Sequence, residues 1–272
     1  MEIPPSFAGG KSLGPTPPTG SLTVAPGLVL DARRAAWFSE AGVLAIADTH
    51  LGYAWAERRR GQLLPVPADD TAARLEQLLQ TYPTQTVVMV GDCVHQAAAM
   101  PVLATVLREF CHRITVGGRR LVGVLGNHDR ELPARVRDWS LPMEVVPAFS
   151  IPGFHFVHGD QPLLRPPAGA RIVSGHEHPS LSLGDGVATR AKVPAFLLGD
   201  RSLLLPAFSL WAAGTVAGTA TFLGPVASAG QYTRAIACLG PRLLSLPFPS
   251  PWRVTRVRPG HEKPGAEGTD PG

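Results

Sequence analysis

Charge is scarce in this 272-residue chain: Asp, Glu, Lys and Arg make up 17% of it, aromatic residues 7%, and cysteine occurs only three times. The widely spaced Cys93, Cys111 and Cys238 supply no disulfide framework, which fits a reducing cytoplasm and buried, inert thiols. The first twenty residues lack the apolar run of a secretory signal. Pro, Gly and Ser dominate them, so a disordered arm is expected over 1–20. The same character, with added charge, returns over 249–272 and predicts a disordered tail. Between Arg201 and Arg234 charge is absent altogether. Yet the middle of that stretch, AFSLWAAGTVAGTATFLG, is short, broken by Ser, Thr and Gly, and bracketed by Pro206 and Pro225. Buried strand and loop are therefore expected there instead of a membrane anchor.

What remains is ordinary globular composition, 44% apolar with a net charge of +4. It supports one large domain, read as 21–248. The mildly basic balance permits an anionic substrate without demanding nucleic acid.

Short apolar runs alternate with helical spacing in the first half. SLTVAPGLVLD and AAWFSE read as strand partners, and GVLAIAD (43–48) is a buried strand ending in a carboxylate. In 69–81 Ala72, Leu75, Leu78 and Leu79 share one helical face. TVVMVGD (86–92) is a further strand, 102–113 a helix with Pro101 near its first turn, and RLVGVLGNHD (120–129) a strand entering a polar loop. After Asp129 only short strands follow: MEVVPAF, FHFVHGD, ARIVSGHEH, PAFLLGD and RSLLLPAF. Alternation followed by strands predicts a layered α/β domain with two packed sheets.

Five polar clusters sit at or just past the ends of these runs: Asp48-Thr49-His50, Gly91-Asp92, Gly126-Asn127-His128-Asp129, His158-Gly159 and Gly175-His176-Glu177-His178. Loops beyond the carboxyl ends of strands are where α/β sheets place their sites. In extended backbone, residues i and i+2 point the same way, so Asp48 with His50, and His176 with His178, are each expected to converge. Neighbours point apart, so Asn127 can bind metal while His128 turns toward substrate. Asp129 is either a hydrogen-bonding partner beside the ligands or a helix N-cap. His155 has the opposite strand parity from His158 and is read as no ligand. Oxygen and imidazole donors without thiolate suit divalent Mn, Fe, Zn or Ni. Two such ions bring four positive charges. Asp48 and Asp92 return two and a bridging hydroxide one, leaving a centre that attracts phosphate.

These clusters resemble the calcineurin-like metallophosphoesterase superfamily, whose pattern D-x-H, GD, GNH[DE], H, GHxH is matched across residues 48–178. The resemblance implies a four-layer sandwich, two mixed β-sheets flanked by helices, around two divalent metal ions, with Mn the first expectation and Mg a further alternative. It implies Asp48, His50 and His178 on one metal, Asn127, His158 and His176 on the other, and Asp92 bridging them. It further implies a metal-bridging hydroxide as nucleophile and His128 assisting the leaving group. A narrower likeness, carried by ADTHLGYAWAERRRGQLLPVP, GNHDR, GHEHPS and PAFLLGDRSLLLPAF, is to a bacterial group often encoded beside a DNA ligase. That likeness implies phosphodiesterase or nuclease activity on nucleic acid or nucleotides, and a link to DNA repair. Two departures stand out. Many superfamily members carry an acid three or four residues after the bridging Asp, where this chain reads Cys93-Val94-His95; the Gly-rich stretch after LPAF is altered to SLWAAGTVAG. Arg58-Arg59-Arg60 follows His50 closely and is either a solvated helix face or a phosphate-backbone contact. A non-catalytic scaffold on the same fold would be expected to lose ligands, and none is missing. A membrane-attached phosphoesterase is the other alternative.

Overall fold

Strands that are apolar on both faces must be covered on both faces, and β4 (Val43–Ala47), β5 (Thr86–Val90) and β6 (Arg120–Val124) set the layering for that reason. The computed structural model describes residues 18–61, 71–96, 101–163, 166–184, 190–212, 214–217, 221–228 and 230–248. The arm expected over 1–20 lies outside the described residues up to residue 17, and the expected tail lies wholly outside them.

The first sheet has seven strands in sequence order. β1 (Ser21–Ala25), β2 (Leu28–Asp31), β3 (Ala35–Phe38) and β4 form an antiparallel meander, and β4, β5, β6 and β7 (Glu144–Val146) run parallel. The two expected strand partners are thus three strands of a meander, because Pro26-Gly27 turns the chain inside the first apolar run. Helices α1 (Tyr53–Arg59) and α2 (Thr71–Thr81) precede β5, α3 (Pro101–Thr115) precedes β6, and α4 (Leu132–Asp138) precedes β7. The short α4 was not foreseen, and α1 was foreseen only as the helix face in one of the two readings of Arg58-Arg59-Arg60. In α4 only Leu132 is buried, so no apolar period marks it.

The second sheet has nine strands: β8 (Phe149–Ile151), β9 (Phe154–Val157), β10 (Arg171–Ser174), β11 (Pro179–Gly184), β12 (Arg190–Leu198), β13 (Ser202–Leu204), β14 (Thr215–Val216), β15 (Arg234–Leu239) and β16 (Arg242–Pro247). Within it β9, β10 and β13 are parallel neighbours. Alternation sorts the side chains. Leu44, Ile46, Val87 and Met89 face the layer that holds Leu75 of α2 and Leu107 of α3. Ala45, Ala47, Val88 and Val90 face the second sheet, meeting Phe156, Val173, Phe196 and Ile236. The outer face of the second sheet, with Leu197 and Leu204, is covered by Ala227, Tyr232 and Phe248. Among the described residues, the uncharged stretch supplies β13, β14 and loop, and no helix is long and apolar enough to cross a membrane. All three thiols are free and buried, and burial raises the pKa of each.

The two sheets touch at the carboxyl ends of their parallel strands. Ala47 and Ala207 form a parallel bridge, and the Phe208 amide donates to the Ala47 carbonyl at 2.7 Å. Gly175 is needed at this seam, since a Cβ there would lie 2.7 Å from Asp48 Oδ2 and 2.9 Å from the Val90 carbonyl oxygen.

Phe196 is fully buried between the sheets. Phe196→Ala should therefore cost about 3–5 kcal/mol in denaturant unfolding. Val116→Ala, at a position 54% exposed, should stay within about 0.5 kcal/mol of wild type. Equal effects would contradict the assigned layering.

Candidate metal centre

Each polar cluster leaves its strand by a sharp turn. Among the described residues seven non-glycine positions have positive φ, and five of them are Asp48, His50, Asp92, His176 and His178. Left-handed backbone is costly for such residues and collects at functional sites. It also corrects the parity argument made from sequence. Asp48 and His50 converge through two left-handed turns (φ 52° and 45°) and not through strand alternation. His176 and His178 come to the two groups that share Asp92, His178 against His50 and Asp48 and His176 against His158.

Asp48, His50, Asp92 and His178 form one group, with one donor atom from each lying within 4.8 Å of the others. His50 Nε2 is 3.4 Å from His178 Nε2 and 3.9 Å from Asp92 Oδ2, while His178 Nε2 is 3.4 Å from Asp48 Oδ1. A second group gathers around His158, whose Nε2 lies 3.1 Å from Asn127 Oδ1, 3.1 Å from His176 Nδ1 and 3.4 Å from Asp92 Oδ1. Asp92 thus turns one oxygen toward each group. Donors bound at about 2.0–2.2 Å to a common ion sit about 3.0–3.5 Å apart, so most of these spacings suit shared cations. Imidazole and carboxylate donors without sulfur fit borderline divalent ions. His50 Nδ1 and His158 Nδ1 are buried without a hydrogen-bond partner, so neither ring is saturated by protein alone.

The cluster's electrostatics are divided. Burial pushes His50 down to about 4, against the pull of Asp48 and Asp92. Burial also opposes charge on His158, but its hydrogen bond to Asp92 and the charge of Asp48 lift it to about 9. His176 is lowered by burial and by His158. His178 is raised overall, burial being outweighed by Asp48. Burial disfavours the Asp92 anion, yet the bond and charge of His158 hold its pKa well below the usual carboxylate range.

The loops are held by contacts that the motifs do not announce. The His50 amide donates to the Asp92 carbonyl at 2.9 Å, and the His95 amide to the Leu51 carbonyl at 3.0 Å, so the loops after β4 and β5 are zipped together. Asp129 is fully buried and accepts from the amides of Gly126, Cys93 and Val94 at 3.0, 3.1 and 3.0 Å. Burial raises its pKa to about 6 against those three bonds. The N-cap alternative fails, because Glu131 precedes α4 without a side-chain cap. The Asp48 carboxylate accepts from the His176 amide, joining the two sheets' loops. Gly91 permits another close approach: a Cβ there would lie 1.9 Å from His158 Nδ1.

His128 points away from Asn127, as expected. Its amide donates to Asp92 Oδ1 at 3.0 Å and its Nδ1 lies 2.8 Å from the His95 carbonyl oxygen. The missing acid after Asp92 is therefore replaced by a backbone carbonyl, while the His95 ring stacks on His128 at 5.4 Å. His50, His95 and His128 form a third close group. His155 is apart from the donor groups, its Nδ1 2.8 Å from Ser150 Oγ. Glu177 was not singled out from sequence. It is buried, and its two oxygens accept from the amides of Leu223 and Gly224 at 2.8 and 2.7 Å. Its only signal was an acid between the two histidines of the Gly175-His176-Glu177-His178 cluster. Arg58, Arg59 and Arg60 are exposed at the end of α1. Arg60 pairs with Glu57 at 2.7 Å and Arg58 lies over the Trp55 ring at 5.5 Å.

Comparison with known proteins agrees with this geometry. The family model for calcineurin-like phosphoesterases matches residues 42–199. Among solved structures, the Pseudomonas putida nuclease MPE is 25% identical with a TM-score of 0.60, over 80% of this chain and 94% of that one. A protein of unknown function from Aquifex aeolicus, AQ665, is 16% identical with a TM-score of 0.31, over 50% of this chain and 78% of that one. No curated protein matches. The family match spans more than half of the chain and takes in every donor described above, so the chain belongs to the calcineurin-like phosphoesterase family, as a metal-dependent phosphoester hydrolase.

Proposed function

We propose that this chain is a two-metal phosphodiesterase that cuts nucleic acid. Asp48, His50 and His178 would hold one divalent ion and Asn127, His158 and His176 the other, with Asp92 placed to serve both. The observation that carries this reading is the split of Asp92, with Oδ2 toward His50 and Oδ1 toward His158. When bound, a pair of divalent cations supplies Lewis-acid polarisation of the phosphoryl group and a water of lowered pKa.

The chain's own residues do the rest. A carbonyl can only accept, so the bond to the His95 carbonyl fixes the proton on His128 Nδ1. His128 Nε2, 3.9 Å from Asp92 Oδ2, then faces the reacting phosphate; as the imidazolium, with a proton on each ring nitrogen, it gives the Nε2 proton to the leaving oxygen, returns to the neutral Nδ1–H ring and is reprotonated from solvent. The side chain is 36% exposed, which leaves it accessible to substrate. Asp129 keeps the loop carrying Asn127 and His128 at a fixed distance from Asp92.

Two features support a strand substrate. The Pseudomonas putida neighbour is a nuclease. A cavity of about 670 Å³ opens beside Asn127 and His158, with Pro147, Ala148, Val157 and Pro162 as apolar wall and Arg130 at its edge. Its size and apolar lining suit one nucleoside.

Metal-loaded wild type should hydrolyse an aryl phosphodiester and cleave single-stranded DNA. His128→Ala should retain its metals and lose about 10²–10⁴-fold in turnover of DNA, the range of general acid catalysis. The loss should be smaller for the aryl diester, whose leaving group needs no proton. Loss of metal from His128→Ala, by elemental analysis, would contradict its role.

The exposed arginines generate a second expectation. If they contact the strand, polynucleotide binding should weaken with salt at a log–log slope near −0.7 per contact. Changing Arg58, Arg59 and Arg60 together to Ala should flatten that slope. An unchanged slope would return the run to a solvated helix end.

A further inference from the structure

A cavity of about 250 Å³ borders His178, walled by Arg34, Ser180, Lys192, Ala207 and Gly214, with neither Asp nor Glu among its lining residues. Two of its polar groups come from one sheet face. Ser180 of β11 pairs directly with Pro194 of β12, and Lys192 lies two residues before Pro194. Ser180 is 3% exposed, and its hydroxyl oxygen is buried without a hydrogen-bond partner. Such a group is costly unless something fills its bonding capacity. Space for that partner is kept by Gly214, where a Cβ would sit 3.4 Å from Ser180 Oγ and 2.8 Å from the His178 carbonyl oxygen.

Arg34 enters from the turn between β2 and β3. Its Nη1 donates to the carbonyls of Ala207 and Ser209 at 3.1 and 2.9 Å, which leaves the other nitrogens of the fork for a further acceptor. Among the described residues no carboxylate forms an ion pair with it, although burial lowers its pKa. A half-buried cation without an anion is an incomplete site. Lys192 adds a second charge at the rim, where its ammonium donates to the Gly214 carbonyl. Two cations and an unpartnered hydroxyl around a small acid-free cavity select a tetrahedral oxyanion. At about 250 Å³ the space is smaller than the roughly 300–1,000 Å³ that encloses a whole small molecule, so it suits a phosphate group and not an entire nucleotide.

We propose that this cavity is a second phosphate subsite, taking the phosphate next to the scissile one along the strand; the inference rests on the strand-cutting reading above. His178 lines the cavity and is also one of the metal donors, so the subsite adjoins the metal centre. Arg34 and Lys192 neutralise the neighbouring phosphate and Ser180 donates to it. The enzyme then grips substrates that carry more than one phosphate and holds their register.

Calorimetry on the metal-loaded chain tests this. The ligands are a phosphorothioate-linked dinucleotide, the same dinucleotide with an added 5′ or 3′ phosphate, and inorganic phosphate. In wild type the added phosphate, on one of the two ends, should tighten binding about tenfold, as a charge-assisted contact does. Within Lys192→Ala and within Ser180→Val that ratio should fall toward one; because it is taken inside each variant, a general loss of fold cancels. No increment in wild type, or an increment that survives both substitutions, overturns the subsite. Inorganic phosphate binding with the same affinity gain, and losing it in Lys192→Ala, would make free phosphate the ligand and overturn the strand assignment. An intact increment in a wild type that hydrolyses no aryl diester would support the subsite and sink the proposed activity instead.

Discussion

Two buried carboxylates, Asp48 and Asp92, stand at the carboxyl ends of adjacent parallel strands, and among the described residues no lysine or arginine forms an ion pair with either. Anions in that position must be compensated, and much of the architecture follows from it. Histidines come to them from both sheets: His50 from the first, and His158, His176 and His178 from the second. Backbone amides of His128 and His176 donate to the same carboxylates. The two packed sheets must therefore come together at the carboxyl ends of their strands. Gly175 and the Ala47–Ala207 bridge are the sites where that approach is closest.

Strain and clamping are the cost of this arrangement. Five of the donors sit in left-handed backbone, which the chain would leave if the loops were free. Asp129 prevents that on one side by tying three amides together, and Glu177 does so on the other by holding Leu223 and Gly224. The uncharged stretch that raised the question of a membrane thus has a different use. It closes the outer face of the second sheet and packs a loop against His176, since a Cβ at Gly224 would come within 2.9 Å of that ring.

Much of this was legible in the sequence, though not always for the right reason. Strands β4, β5 and β6 were readable because parallel buried strands are apolar on both faces. That the histidines and carboxylates of the five clusters gather at one seam was readable from their order and residue type. The turn geometry was not, because strand alternation is a rule for extended backbone and Asp48 and His50 are not extended. Helix α4 was hidden by charge, and the β15–β16 hairpin by an alternation too weak to stand out beside its neighbours, its outer strand being largely exposed. Glu177 and Asp129 act through backbone amides, a role that residue type alone does not reveal. The carbonyl of His95 is a stronger case, since any residue held at that φ and ψ could supply it.

The central claim is that Asp92 serves two cations at once. Elemental analysis of the Mn-loaded chain and of Asp92→Ala tests it directly. Two equivalents per wild-type chain, with both lost or weakened together in Asp92→Ala, is the expected result. A single equivalent in the loaded wild type, or a variant that loses one metal and keeps the other at full affinity, would contradict the account.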